Sequence, residues 1–367
     1  MNNFIKDRAR QEIFNINPYV PGKPIEEVKR ELGLKDIIKL ASNENPLGSS
    51  PKAVKTIKKS LDELHLYPDS NCYYLKEKLA SVTGIKKEGI LIGNGSDELL
   101  KLVAETFLNR GDEVIFADPS FSEYEFTAKI MGAECKSIPL VDFKHDLEAM
   151  LAAVTEKTKI IFICNPNNPT GTIVDADEMD EFMAQVPEDI LVIIDEAYVE
   201  YVENSGFPRS LDYINQGKNV IVMRTFSKIY GLAALRIGYG LTTVDIAQAV
   251  ERVMEPFNVN MLAQKGAAAG LDDFEHVEES KKVNSLGKQF LYGEFNKMGL
   301  IYVETEANFI FVDVQKDCQE VFKKLLQKGI IVRTGDIFGY STYIRVTIGS
   351  KDENIRFING LKTILEG

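Results

Sequence analysis

Lys228 stands in the middle of the stretch Asn219 to Gly240, NVIVMRTFSKIYGLAALRIGYG, and its neighbours give it chemistry. Asn219 to Met223 is a short apolar, β-branched run, which fits a buried strand. Thr225-Phe226-Ser227 then turns the chain and presents the lysine where strand gives way to loop. Thr225 and Ser227 bring hydroxyls, and Arg236, eight residues beyond the lysine, brings a guanidinium. Hydroxyls beside a guanidinium suit a phosphate monoester. A lysine partly withdrawn from water, with a second cation nearby, titrates low enough to be nucleophilic and to form a Schiff base. Gly231, Gly238 and Gly240 let backbone approach backbone or a ligand closely. Together these residues suggest pyridoxal phosphate. A lone lysine is far more often a solvated surface charge, so the reading depends on what the rest of the chain delivers to the same place.

Other apolar runs end in polar loops in the same way. Gly89 to Ile92 leads into GNGSDE, and Ser96 and Asp97 open the helical pattern Leu99 to Leu108. Backbone N–H groups and the helix dipole favour an anion there, although an ordinary N-cap has the same sequence. Glu113 to Ala117 ends at Asp118-Pro119-Ser120, with Phe121 and Tyr124 just after. KIIFIC, Lys159 to Cys164, reads as a strand covered on both faces; it runs into Asn165 to Thr172, a loop carrying the amide of Asn168. Ile190 to Ile194 stops at Asp195-Glu196-Ala197-Tyr198. Asp195 alone is also consistent with a simple helix cap. Strands and helices alternate over residues 90 to 240, which predicts a parallel sheet with helices on both faces. In such sheets ligands sit beyond the carboxyl ends of the strands, and that address is common to Ser96, Asn168, Asp195, Tyr198 and Lys228.

The net charge of -12 argues against nucleic-acid or anionic-membrane partners. Cys72, Cys135, Cys164 and Cys318 form no CxxC pair, which reads as reduced thiols in a cytoplasmic protein and not as a zinc site. No metal is expected. The start, MNNFIKDRARQEIF, has no apolar segment of a signal peptide, and no run approaches a membrane span. Residues 1 to 45 read as an N-terminal arm and part of a smaller domain, 46 to 257 as the large domain, and 258 to 367 as the small α/β domain. Within the arm, Ile25 to Leu32 is a short helix closed by Gly33. Ser42 to Pro51, SNENPLGSSP, is a turn-rich loop whose amides, Asn45 among them, could line a polar pocket. The small domain holds strands at Ile301 to Glu304, Asn308 to Val314, Ile330 to Arg333 and Tyr343 to Ile348. Arg333 and Arg345 in these strands read either as edge charges or as an anion clamp.

SNENP, GNGSDE, CNPNNPTGT, DEAY and TFSKIYGLAALRIGYG, in this order, resemble pyridoxal-phosphate aminotransferases of the aspartate aminotransferase fold type. Within them the resemblance is strongest to the histidinol-phosphate aminotransferases. It covers essentially the whole chain. It implies an α/β fold with a mainly parallel seven-stranded sheet between helices in the large domain. It also implies that Lys228 carries the cofactor, that Asp195 pairs with the ring nitrogen, and that Tyr198 and Asn168 bond the ring hydroxyl. Thr225, Ser227, Arg236 and the backbone at Ser96 and Asp97 would hold the phosphate, and Tyr124 would stack on the ring. Tyr67 would reach the phosphate from the other subunit of a homodimer. Arg333, Arg345, Asn45 and Tyr19 would meet the substrate. The glycine loop reads GNGSDE where many relatives read GADE, a departure of little consequence for a largely backbone contact.

The same resemblance implies amino transfer from histidinol phosphate to 2-oxoglutarate, with Lys228 moving the substrate proton. An aromatic amino acid aminotransferase is the nearest rival reading. A decarboxylating lyase of the threonine-phosphate type shares the scaffold and needs no amino acceptor. A cofactor-binding regulator would need an added DNA-binding domain, for which the residues before Asn43 are expected to leave no room.

Overall fold

The structure, a computed structural model, describes residues 2–16 and 23–366, so Tyr19 lies outside the described residues. β1 is Ile38–Lys39. Seven strands come next: β2 (Ile90–Gly93), β3 (Glu113–Asp118), β4 (Glu134–Pro139), β5 (Thr158–Cys164), β6 (Leu191–Asp195), β7 (Val220–Thr225) and β8 (Gly238–Leu241). The last five are β9 (Tyr302–Val303), β10 (Phe309–Asp313), β11 (Ile330–Ile331), β12 (Arg333–Thr334) and β13 (Tyr343–Thr347). Among the described residues, β2 to β8 form one seven-stranded sheet in the order β2-β8-β7-β6-β5-β3-β4. Its pairings are parallel from β4 through β7, while β8 runs antiparallel to both β7 and β2. The expected α/β architecture is present. The antiparallel β8, GYGL, is not expected from sequence, because its glycines carry no apolar alternation.

The continuous apolar runs have a plain cause. Ile161, Ile163, Val192 and Ile194 enter one core, whereas Ile160, Phe162, Leu191 and Ile193 enter the core on the other face. A strand covered on both faces has no position left for a solvated side chain. Each such fully buried aliphatic side chain contributes about 1.5–3 kcal/mol. Because β3, β5, β6 and β7 are parallel, the loops leaving their carboxyl ends emerge along one edge of the sheet. Phe121, Asn168, Ala197 and Lys228 arrive there together.

The smaller body is built on the four-stranded sheet β12-β13-β10-β9, with β1 and β11 as a separate parallel pair. Helices Phe274–Lys297, Cys318–Gln327 and Lys351–Glu366 supply much of its core. Ile38 and Leu40 are buried in that core, so the segment around β1 belongs to it. Ile330 to Arg333, expected as one strand, is divided: Ile330–Ile331 pairs with β1 and Arg333–Thr334 with β13. Packing against the large core continues past residue 257. Val259, Ala263, Ala267 and Leu271 pack in the large core, and helix Met261–Gly270 lies close against helix Pro51–Lys59. No described helix is long and apolar enough to cross a membrane.

Candidate active site

Lys228 lies just beyond β7 in a cleft of about 820 Å³ between the sheet edge and the small domain. Its Nζ donates to the Ser42 carbonyl at 3.3 Å and lies 5.6 Å from the centre of the Tyr198 ring. Burial, and then the positive charge of Arg345, pull its pKa down to about 8. At pH 7 roughly one amine in ten is then neutral, against roughly one in three thousand at the ordinary value. A nucleophilic or proton-accepting lysine needs that neutral fraction.

Asp195 ends β6 and is 3% exposed. Its Oδ2 accepts the Tyr124 hydroxyl at 2.8 Å, and its Oδ1 accepts the Ala197 N–H at 3.1 Å. Burial raises its pKa to about 6. A carboxylate held this way in a cleft wall suits a cationic N–H. Tyr124 does not take the stacking position expected of it. Its ring is fully buried against Phe162, with centroids 4.8 Å apart and planes 12° from parallel, and it is the hydroxyl that acts on Asp195. Phe121 lines the cleft instead. The two aromatics are three residues apart at the start of helix Glu123–Met131, and the sequence does not distinguish which one turns outward.

Tyr198 is buried and its hydroxyl accepts from Asn43 Nδ2 at 2.9 Å. Burial raises its pKa, so it stays a phenol at neutral pH. Asn43 sits in the left-handed region, φ 57°, which asparagine tolerates better than most residues. The sequence of the SNENP loop suggests Asn45 as the amide facing the cleft. The structure instead ties the Asn45 amide nitrogen to the Ile229 carbonyl at 2.7 Å and to Ser280 at 2.8 Å, while its oxygen accepts the Leu47 N–H at 2.9 Å. Asn45 is a loop anchor and Asn43 is the amide that lines the cleft. The amphipathic start of the chain also contributes a wall unforeseen from sequence, with Ile13 and Ile16 facing Phe126 and Ile130.

Arg345 and Arg333 are directly opposite each other across β13 and β12, so both project from the same face of that sheet into the cleft. Arg345 is buried. It donates to the Asn168 side-chain oxygen and, through Nη2, to the Ala41 carbonyl at 2.7 Å, and its guanidinium lies 5.2 Å from the Phe309 ring centre. Asn168 is placed by its neighbour Asn167, whose amide nitrogen bonds Thr170 at 2.9 Å and the Pro119 carbonyl at 3.2 Å.

At the other end of the cleft lie Ser96, Asp97, Thr225, Ser227 and Arg236. Helix Ser96–Phe107 begins here behind Gly95, whose φ of 86° favours glycine. The fit is tight: a Cβ on Gly238 would meet the Ser96 nitrogen at 2.6 Å, and one on Gly95 would meet Arg236 Nη2 at 2.7 Å. Arg236 pairs with Asp97 at 2.8 Å, both side chains 45% exposed. Open helix N–H groups, two hydroxyls and a guanidinium match a phosphate, Asp195 matches a pyridinium and Lys228 an aldehyde. The donor set fits pyridoxal phosphate. Tyr67 lies apart from the cleft of its own chain, 83% exposed and stacked on Phe257 with centroids 4.8 Å apart.

Residues 35–361 match the family model of class I and II aminotransferases. The chain is 58% identical to a histidinol-phosphate aminotransferase of Moorella thermoacetica, covering 98% of this chain and 93% of that one. It is 52% identical to the corresponding protein of Caldicellulosiruptor saccharolyticus, covering 97% and 99%. The histidinol-phosphate aminotransferase of Sinorhizobium meliloti, solved in complex with pyridoxal-5'-phosphate, superposes with a TM-score of 0.90 at 27% identity over 98% of both chains. The chain therefore belongs to the class I and II aminotransferases, a family that depends on pyridoxal phosphate.

Proposed function

We propose that this enzyme transfers the amino group of histidinol phosphate to 2-oxoglutarate, giving imidazole-acetol phosphate and glutamate, and so serves histidine biosynthesis. The observation that carries the reading is one cleft lined by Lys228, Asp195, Arg236 and the pair Arg333 and Arg345. The substrate assignment draws on the names of the relatives at 58% and 52% identity. Bound pyridoxal phosphate supplies a ring that withdraws electrons from the substrate Cα. Asp195 holds a proton at the ring nitrogen. Tyr198 and Asn168, which line the cleft, would orient the ring through its hydroxyl, and Phe121 would supply an aromatic wall beside it. Thr225, Ser227, Arg236 and the N–H groups at Ser96 and Asp97 anchor the phosphate. Lys228 would hold the cofactor through its amine, and the same amine would move the proton at the substrate Cα.

Arg345 serves both substrates in this reading, because a planar guanidinium pairs with either carboxylate or phosphate. Arg333 mainly assists the phosphate of histidinol phosphate. The active unit is a cytoplasmic homodimer in which Tyr67 reaches the phosphate of the partner's cofactor; its high exposure leaves the ring available for this. The test is half-transamination of the purified protein with histidinol phosphate, phenylalanine and tyrosine, compared by kcat/KM. Histidinol phosphate should be preferred. Preference for phenylalanine would replace this reading by an aromatic aminotransferase, and product formation without 2-oxoglutarate over many turnovers would replace it by a lyase.

A further inference from the structure

Tyr124 has no exposed surface and lines no part of the cleft, yet its hydroxyl ends 2.8 Å from Asp195 Oδ2. The ring is clamped. Phe162 stacks on it at 4.8 Å, and Phe121 meets it edge-on at 5.7 Å. The clamp holds the hydroxyl beside two groups, the Asp195 carboxylate and the Cys164 thiol, and of these the carboxylate takes the hydrogen bond. The described hydrogen bonds to the Asp195 carboxylate are two, from Tyr124 to one oxygen and from the Ala197 N–H to the other. Such donors favour the ionised form of a carboxylate and fix its plane. Burial and the neighbouring Asp195 raise the tyrosine's own pKa well above its ordinary value, so it remains a donor throughout the working pH range.

We propose that Tyr124 is a positioning residue for Asp195: its hydroxyl keeps the carboxylate charged and aimed into the cleft, and so sets how low in pH the protein can hold a protonated ring nitrogen. The inference rests on the reading of the cleft as a pyridoxal-phosphate site. The other groups acting on Asp195 come from several elements. Lys228 beyond β7 favours its charge, and Asp97 on helix Ser96–Phe107 opposes it. Cys164 at the end of β5 and Tyr198 after β6 are both held neutral, chiefly by burial, the thiol being pushed up to about 12. Among the side chains around Asp195, Tyr124 makes the direct bond, so removing its hydroxyl should move the balance toward the neutral acid.

The test uses the apo-protein and pyridoxamine phosphate, which occupies the ring site without a bond to Lys228. Its dissociation constant is measured by fluorescence from pH 5 to 8.5 for wild type and Tyr124→Phe, which keeps the ring stack. Wild-type affinity should fall on the acid side near pH 6, where Asp195 takes up a proton. In Tyr124→Phe that acid limb should move up by about one pH unit or more, giving binding about fivefold weaker at pH 6 and about tenfold weaker by pH 5, as expected for one charge-assisted hydrogen bond. At pH 8.5 the two proteins should differ little. An unmoved limb overturns the proposal. So does weakening by the same factor at every pH, with or without a lower Tm, because that is the mark of a packing role alone. Failure of wild type to bind pyridoxamine phosphate at all would instead remove the cofactor reading beneath it.

Discussion

Replacing Asp195 by Asn should change stability in opposite directions with and without cofactor. In the apo-protein the carboxylate is 3% exposed, and burial lifts its pKa from 3.8 to about 6. A raised carboxyl pKa means that the folded state prefers the protonated form. The associated stability is complete below the ordinary value and is lost as pH rises through about 6. Two pKa units correspond to about 3 kcal/mol of unfavourable charge burial above that pH. Asn keeps the shape and removes the charge, since its oxygen can still accept from Ala197 and the Tyr124 hydroxyl can turn to accept from the new amide. With an unfolding entropy of about 2.1 cal/mol/K per residue, 3 kcal/mol in a chain of this length amounts to about 4 °C in Tm. Apo Asp195→Asn should therefore melt about 4 °C above apo wild type at pH 8, and the gain should fade at pH 5. With pyridoxal phosphate bound the order should reverse, because the ring nitrogen loses its counter-charge. Thermal melts at the two pH values, with and without cofactor, give all four comparisons. An apo variant that melts below wild type at pH 8, or gains equally at pH 5, would show that the buried charge of Asp195 carries no such cost. Proton abstraction in the loaded variant should be at least ~100-fold slower in single turnover.

Three further outcomes are expected. Losing an anion's charged partner costs on the order of 2–5 kcal/mol, so Arg345→Ala should impair both half-reactions, whereas Arg333→Ala should impair the histidinol-phosphate half more; equal slowing of both halves by Arg333→Ala, read from cofactor absorbance, would cancel that division. Gly238→Ala brings a Cβ within 2.6 Å of the Ser96 nitrogen, and should weaken pyridoxal-phosphate binding in equilibrium titrations by pushing the helix start out of place. Mixing Lys228→Ala with Tyr67→Ala subunits should restore activity, because each hybrid dimer carries one native site; no recovery after subunit exchange would mean that Tyr67 does not act across the interface.

Much of this arrangement is legible in the chain, for a physical reason. Strands covered on both faces must be continuously apolar, so KIIFIC and LVIID announce themselves, and a parallel sheet gathers the loops at their carboxyl ends along one edge. That logic reaches Asn168, Asp195, Tyr198 and Lys228 without coordinates. It stops where direction depends on one torsion or one helix phase. Asn43 and Asn45 are chemically identical, and the left-handed backbone at Asn43 is what turns its amide to Tyr198. Phe121 precedes helix Glu123–Met131 and Tyr124 sits in its first turn, and burial of Tyr124 against Phe162 decides which becomes wall and which becomes support. Ile330 to Arg333 shows one apolar run, yet Val332 separates residues that pair in two different sheets. The glycine-rich β8 is invisible as a strand because its value lies in having no side chains beneath Ser96.

Cofactor attachment at the lysine after β7 is the point on which every other role in the cleft depends. Borohydride reduction of the holoenzyme, then proteolysis and mass spectrometry of the peptides, tests it directly. A single pyridoxyl adduct is expected on the peptide containing Lys228, and it should be lost in Lys228→Ala. An adduct on any other lysine, with Lys228 unmodified in an active preparation, would contradict it.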